Sequence, residues 1–164
     1  MRLASLRLRA GTHVANASLH AAVIRTLDVL RKTQRGEELA WMIELGADNV
    51  IDIDRQDLLE LVGVVLENAS KWAQTSVTIA TRKAGDMAEV VVGDDGPGLS
   101  AEQIAAIGPR GRRMDESRPG TGFGLAIALE ILKLNGGEAV FGRSDRGGLQ
   151  VVLRLRTAGA DLPD

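Results

Sequence analysis

The chain predicts an α/β two-layer sandwich, with a mixed sheet of about five strands and helices on one face. Strand and helix patterns are interspersed without a strict βαβ alternation, in the order helix, two strands, helix, hairpin, loop, helix, hairpin. One long segment carries an apolar stripe at helical spacing, as a helix laid on a sheet requires. At 164 residues the chain fits one domain with a core large enough to need no staples.

The first ten residues, Met1 to Ala10, set Leu3, Leu6 and Leu8 among Arg2, Arg7 and Arg9. They read as a short helix that is too short to be stable alone, the tail of a longer one. Asn16 or Ser18 caps the next helix, which reaches about Lys32 with Leu19, Val23, Leu27 and Leu30 on one face, and Gly36 ends that element. Glu38 to Leu45 alternates as a strand, with Leu39, Trp41, Ile43 and Leu45 turned to the core, and Val50 to Ile53 is a short strand after turn residues.

Asp54 caps a helix running to about Trp72. Leu58, Leu61, Val62, Val65, Leu66 and Ala69 fall on one side of it, and Glu60, Val64, Glu67, Asn68 and Lys71 on the other. Ser76 to Arg82 and Met87 to Gly93 are strands joined by a hairpin-like turn. From Leu99 to Pro119 the apolar signal fades into a long loop, a length that is usually functional or mobile. A helix from Gly122 to about Leu134 ends at Asn135-Gly136-Gly137, and strands Glu138 to Arg143 and Leu149 to Arg156 flank a Ser144–Gly148 turn. The tail at 158–164 reads as disordered, which leaves 13–157 as the folded domain and 1–12 as the helix tail.

Composition narrows the chemistry. Without cysteines there is neither a disulfide framework nor a thiolate metal site, and two histidines make a His-built zinc site a poor reading. A net charge of −2 argues against a general nucleic-acid binder. No apolar run is long enough for a membrane span and no signal-peptide pattern is present, so the expected setting is the cytoplasm, as a soluble domain or as a piece of a membrane-anchored parent.

The apolar run Val90-Val91-Val92 breaks into Gly93-Asp94-Asp95-Gly96-Pro97-Gly98. An acid ending a buried strand is poorly solvated unless something binds it, and the glycines let backbone approach a ligand. Taken alone, the loop is equally an ordinary turn. The functional reading has Asp94 accepting a hydrogen bond from an exocyclic amine such as that of adenine. The second cluster, Gly120-Thr121-Gly122-Phe123-Gly124, opens a helix whose backbone N–H groups suit phosphate. It is neither a P-loop nor a Rossmann fingerprint, and by itself it permits mere tight packing.

Asn68 is a poor helix former in mid-helix, and its amide oxygen can coordinate a Mg²⁺ that also holds phosphate oxygens. Lys71 can neutralise phosphate, although a surface pair with Glu67 explains it equally. Arg110, Arg112, Arg113 and Arg118 crowd the long loop, where guanidinium groups suit phosphate and solvated charge is the plain alternative. His20 has no adjacent acid and reads as a helix-surface residue.

Together, Glu67-Asn68-Ala69-Ser70-Lys71-Trp72, Asp94-Asp95-Gly96-Pro97-Gly98 and Gly120-Thr121-Gly122-Phe123-Gly124-Leu125-Ala126 resemble the N, G1 and G2 boxes of sensor histidine kinases. Their order and spacing are similar to those of the catalytic ATP-binding domain of the gyrase, Hsp90, histidine kinase and MutL superfamily, over about residues 16 to 156. The stretch from Arg110 to Gly120 looks most like the lid of PhoQ-type Mg²⁺-responsive sensors. The resemblance implies the Bergerat-type ATP-binding fold and the cofactors ATP and Mg²⁺. It implies that Asp94 binds the adenine amine, Asn68 holds Mg²⁺, Lys71 contacts phosphate and Trp72 flanks adenine. Gly96 and Gly98 would hinge the lid. Gly120, Gly122, Phe123, Gly124 and Leu125 would line the phosphates, and Arg113 and Arg118 would be the lid cations. The γ-phosphate would pass to a histidine on a separate dimerisation and phosphoacceptor domain of the same kinase, with a response regulator downstream. The parent would be an inner-membrane-anchored homodimer and this fragment a monomer.

Three departures qualify that pattern. Val64 stands where kinases usually carry the first Asn of the N box and where hydrolysing relatives carry their general base. Valine cannot polarise water, which disfavours gyrase- or Hsp90-type hydrolysis, whereas phosphoryl transfer rests mainly on positioning and charge neutralisation. Gly108 stands where such lids often have an anchoring Phe, so the lid is expected to be looser. No phosphoacceptor histidine motif is present, so the fragment is not expected to autophosphorylate alone, and Met1 to Ala10 fits the end of the second dimerisation helix. The rival readings are a degenerate nucleotide-binding module that regulates without transfer, an ATPase of the gyrase or Hsp90 class, and, more weakly, a serine kinase of the anti-sigma type.

Overall fold

A computed structural model describes residues 16–107 and 123–159. The expected helix over 1–10, the lid residues with Gly108, and the tail from residue 160 lie outside the described residues. The elements are β1 (Ala17–Ser18), α1 (Leu19–Leu30), α2 (Gln34–Glu38), β2 (Ala40–Leu45), β3 (Val50–Ile51) and α3 (Arg55–Trp72). They continue with β4 (Ser76–Ala84), β5 (Met87–Asp94), α4 (Ala101–Ile107), α5 (Phe123–Leu134), β6 (Glu138–Arg143) and β7 (Leu149–Arg156).

The main sheet has five strands in the order β2-β4-β5-β7-β6, parallel between β2 and β4 and antiparallel elsewhere, and a two-stranded β1-β3 pair stands apart. This is the expected mixed sheet. Cross-strand register puts Ile79, Val92 and Val151 in line, and likewise Thr81, Val90 and Leu153. Helix α3 closes that face with Leu58, Leu61, Val62, Val65, Leu66 and Ala69, all buried. Helices α1 and α5 pack on either flank of α3. The other face is open, and there Arg82, Glu89, Arg154 and Glu138 form a charge row across four strands, joined at 2.6, 2.8 and 3.1 Å. The two arginines hold the Glu89 carboxyl below the usual carboxylate range against the opposing effect of its burial. No helix among the described residues is long and apolar enough to cross a membrane.

Helix ends follow local chemistry. Ser18 Oγ accepts from the Ala21 amide, and Asp54 accepts from the amides of Gln56 and Asp57, so both expected caps form. The β4–β5 hairpin closes through a two-residue turn with Gly85 at φ 66.

Several expectations are corrected. Gly36 does not end the first helix: α1 stops at Leu30, and Gly36 lies within α2, capped by Thr33. The strand at 50–53 is only Val50–Ile51, because Ile53 turns back with its amide on the Ile51 carbonyl. Ile43 is 38% exposed because β2 is an edge strand. Val64 is not on a purely polar face, since it is half-buried and packs against the core. The loop expected from Leu99 contains α4, started by a capping box in which Ser100 Oγ accepts from the Gln103 amide while Gln103 Oε1 accepts from the Ser100 amide.

Candidate nucleotide site

Asp94 is the last residue of β5 and is only 4% exposed. Its Oδ1 accepts from the amides of Gly96 at 2.9 Å and Leu149 at 3.3 Å. Among the described residues no hydrogen bond reaches its Oδ2, so this buried residue keeps an acceptor for a ligand. Burial pushes the Asp94 carboxyl above the usual range, against the two amide hydrogen bonds and with a smaller push from the charge of Asp95.

The cradle around this acid is made of backbone. A Cβ on Gly96 would lie 2.1 Å from the Trp72 carbonyl oxygen, and one on Gly148 would lie 2.2 Å from Asp94 Oδ1. Gly98 has φ 70 and faces the backbone of Gly147 and Gly148. Ser144 Oγ donates to the Asp94 carbonyl at 2.5 Å and accepts from the Gly148 amide at 3.0 Å. The β6–β7 turn is therefore a wall of the site. Ser144 and Gly148 thus belong to the candidate site, although their sequence reads as an ordinary turn. The Gly147-Gly148 pair was their only signal, and it reads equally as turn chemistry.

Asp95 is the other residue that the sequence reading passed over. It points away from the acceptor and takes hydrogen bonds from the amides of Gln74, Thr75 and Ser76 and from the Thr75 hydroxyl. Burial alone would raise its carboxyl, but these donors outweigh it and hold it far below the usual carboxylate range. The doublet thus divides its work: Asp94 keeps a free oxygen, and Asp95 ties the loop to the end of α3.

Of the expected site residues, Trp72 meets the Asp94 loop directly through its carbonyl, at Gly96. Asn68 and Lys71 sit in the last turns of the same helix, Asn68 half-buried and Lys71 exposed. Neither side chain hydrogen-bonds or ion-pairs with a described residue, so the surface pair of Glu67 with Lys71 does not form. Leu125 is buried near the start of α5, the helix that Phe123 and Gly124 open and that packs against α3. Arg113, Arg118, Gly120 and Gly122 lie outside the described residues. Among the described residues, no group of three or more His, Asp or Glu side chains is placed to hold a metal ion. The unbonded Asn68 amide does fit a metal held chiefly by a ligand's own oxygens.

Comparisons with known proteins agree with this fold. The model of the family described as histidine kinase-, DNA gyrase B- and HSP90-like ATPase matches residues 53–159. The two-component sensor PhoQ of Pseudomonas aeruginosa is 37% identical over 138 residues, which is 84% of this chain and 31% of that protein. The chain therefore spans less than a third of the length of that relative. Among solved structures, the mycobacterial sensor histidine kinase MprB superposes with a TM-score of 0.75 at 23% identity, covering 87% of this chain and 96% of that one. The ATP-binding domain of PrrB from Mycobacterium tuberculosis gives 0.70 at 21% identity, covering 88% and 98%. At those identities the structures speak for the fold, and the family match carries the assignment: the chain belongs to the histidine kinase-, DNA gyrase B- and HSP90-like ATPase family.

Proposed function

We propose that this domain binds Mg·ATP and presents the γ-phosphate to a histidine on a separate dimerisation and phosphoacceptor domain, in the manner of a two-component sensor kinase of the PhoQ kind. The observation that carries the reading is the unbonded Oδ2 of buried Asp94, set in a glycine cradle against the helix end that bears Asn68 and Lys71. Asp94 accepts the adenine amine, the Asn68 amide oxygen supplies the protein's ligand to Mg²⁺, and Lys71 offsets phosphate charge as a point cation. Trp72, Gly98 and Leu125 line the pocket, and the backbone of Gly120, Gly122, Phe123 and Gly124 faces the phosphates. Arg113 and Arg118 add cations from the lid. When bound, the metal neutralises charge on the phosphates, and the protein's own task is positioning. The natural setting is the cytoplasmic side of a membrane-anchored homodimer that signals to a response regulator.

Val64 favours a second reading, nucleotide binding that regulates without transfer. It packs its half-buried side chain against the core and brings no polar group one turn before Asn68. The same fact disfavours hydrolysis of the gyrase or Hsp90 type, which needs a base at the attacking water. ATP titrated with and without Mg²⁺ tests binding: the parent is expected to bind more tightly with the metal, and Asp94→Ala to abolish the signal. Labelled ATP with a phosphoacceptor domain added in trans then separates the two readings, since only a kinase labels the acceptor histidine.

A further inference from the structure

The connection from α3 to β4 is gripped from two sides by charged side chains that the nucleotide chemistry does not use. On one side Arg35 donates from Nε to the Ser70 carbonyl at 3.0 Å and from Nη2 to the Ala73 carbonyl. These carbonyls lie in and just beyond the last turn of α3, where acceptors lose their helical donors and a cation suits the negative end of the dipole. On the other side Asp95 accepts from the next three amides, those of Gln74 at 2.8 Å, Thr75 at 2.9 Å and Ser76 at 3.1 Å, and from the Thr75 hydroxyl. A cation thus holds carbonyls and an anion holds amides, within residues 70–76.

Arg35 is itself firmly seated. It lies in α2, where Gly36 lets the backbone press against the end of α1: a Cβ there would fall 1.8 Å from the Leu30 carbonyl oxygen. Trp41 Nε1 donates to the Gly36 carbonyl at 2.9 Å, and Glu38 sits 3.4 Å from Arg35 Nη1. The guanidinium therefore refers the end of α3 to α1 and β2, and Asp95 refers it to β5.

We propose that Arg35 and Asp95 are positioning residues for the nucleotide site. Asn68 and Lys71 ride on the part of α3 that Arg35 holds, and Asp94 is the chain neighbour of Asp95. The pair fixes the span between the phosphate end of the site and its adenine end. This inference rests on the nucleotide reading above, and it has a signature that plain loss of stability lacks. Loosening the clamp penalises a ligand that touches both ends, Mg·ATP, and spares one that touches only the adenine end, adenosine. Partial unfolding weakens both by the same factor, since each binds only the folded fraction.

Mg·ATP and adenosine are titrated into the parent, Arg35→Met and Asp95→Asn by ligand-observed NMR, with circular dichroism to verify folding. Met keeps the apolar stem of Arg35 and removes its donors, whereas Asn keeps the shape of Asp95 and removes its charge. Each variant is expected to weaken Mg·ATP about tenfold and adenosine less than about twofold, because small misplacements in a positioned site have large effects on ligands that span it. If Asp95→Asn fails to fold, Arg35→Met carries the measurement alone. A parent that binds both ligands, with variants that keep the parent's affinity ratio, overturns the positioning role and leaves the nucleotide reading intact. A parent that binds neither ligand overturns both.

Discussion

Asp94 and Asp95 are adjacent carboxylates with opposite displacements. Burial dominates at Asp94, and donors outnumber its effect at Asp95. The sign at Asp94 has two consequences. Its folded-state carboxyl lies above the unfolded value, so its ionisation costs stability as pH rises through that interval. In its proposed role, however, Asp94 must be ionised to accept the ligand amine, so affinity is expected to strengthen over the same interval and to fall about tenfold per pH unit below it. Asp94→Asn is therefore expected to fold at least as well as the parent at neutral pH while binding ATP weakly and with a flatter pH dependence. Calorimetric titrations of both proteins from neutral pH downwards, paired with thermal melts, check this. A variant that lost binding and stability together would show Asp94 to be structural. Asp95 runs the other way: its contribution is present above the ordinary carboxylate range and is lost only as pH falls through its depressed folded value.

At the scale of elements, α3 was the most legible part of the chain and α4 the least. The α3 stripe is long, strictly periodic and capped by an acid, and the buried residues Leu58, Leu61, Val62, Val65, Leu66 and Ala69 are the ones its period selects. Helix α4 has seven residues, too few for a period to declare itself, and its start is written in the Ser100–Gln103 capping box instead. Ser100→Ala is accordingly expected to cost about 1 kcal/mol, confined to α4. Faster amide exchange at Ala101 to Ala105, with unchanged protection in β5, is the measurable outcome. The same distinction explains the site. Asp94, Asn68 and Lys71 announce themselves by residue type on recognisable elements. Ser144, Gly148 and Arg35 join the candidate site through contacts spanning 50, 54 and 35 residues of chain, which no local pattern encodes. Val64 was misplaced for a related reason: helical spacing put it with Glu60 and Glu67, but α3 is flanked by both α1 and α5, which widens its buried arc.

The whole molecule brings these pieces into one cooperative unit, because each wall of the candidate nucleotide site among the described residues is also a joint of the fold. Asp94 ends the central strand β5, the Ser144–Gly148 turn links the last two strands, and α3 is the helix that closes the sheet. A ligand that bridges Asp94 to the end of α3 therefore binds the folded state alone and must stabilise the entire domain by mass action. At a free concentration of one hundred times Kd that stabilisation is about 2.7 kcal/mol. For a domain of roughly this size, about 2–4 °C of melting temperature accompanies each kcal/mol, so Mg·ATP is expected to raise the midpoint by about 5–10 °C. The shift should grow with the logarithm of ligand concentration and vanish in Asp94→Ala. In Arg35→Met it should return when the concentration is raised about tenfold, since that variant is expected to weaken the ligand and not to remove the acceptor. Differential scanning calorimetry over a concentration series reads all three. A midpoint that ignores Mg·ATP at every concentration, in a chain that still melts cooperatively, would mean that the cradle around Asp94 closes the sheet and binds no nucleotide.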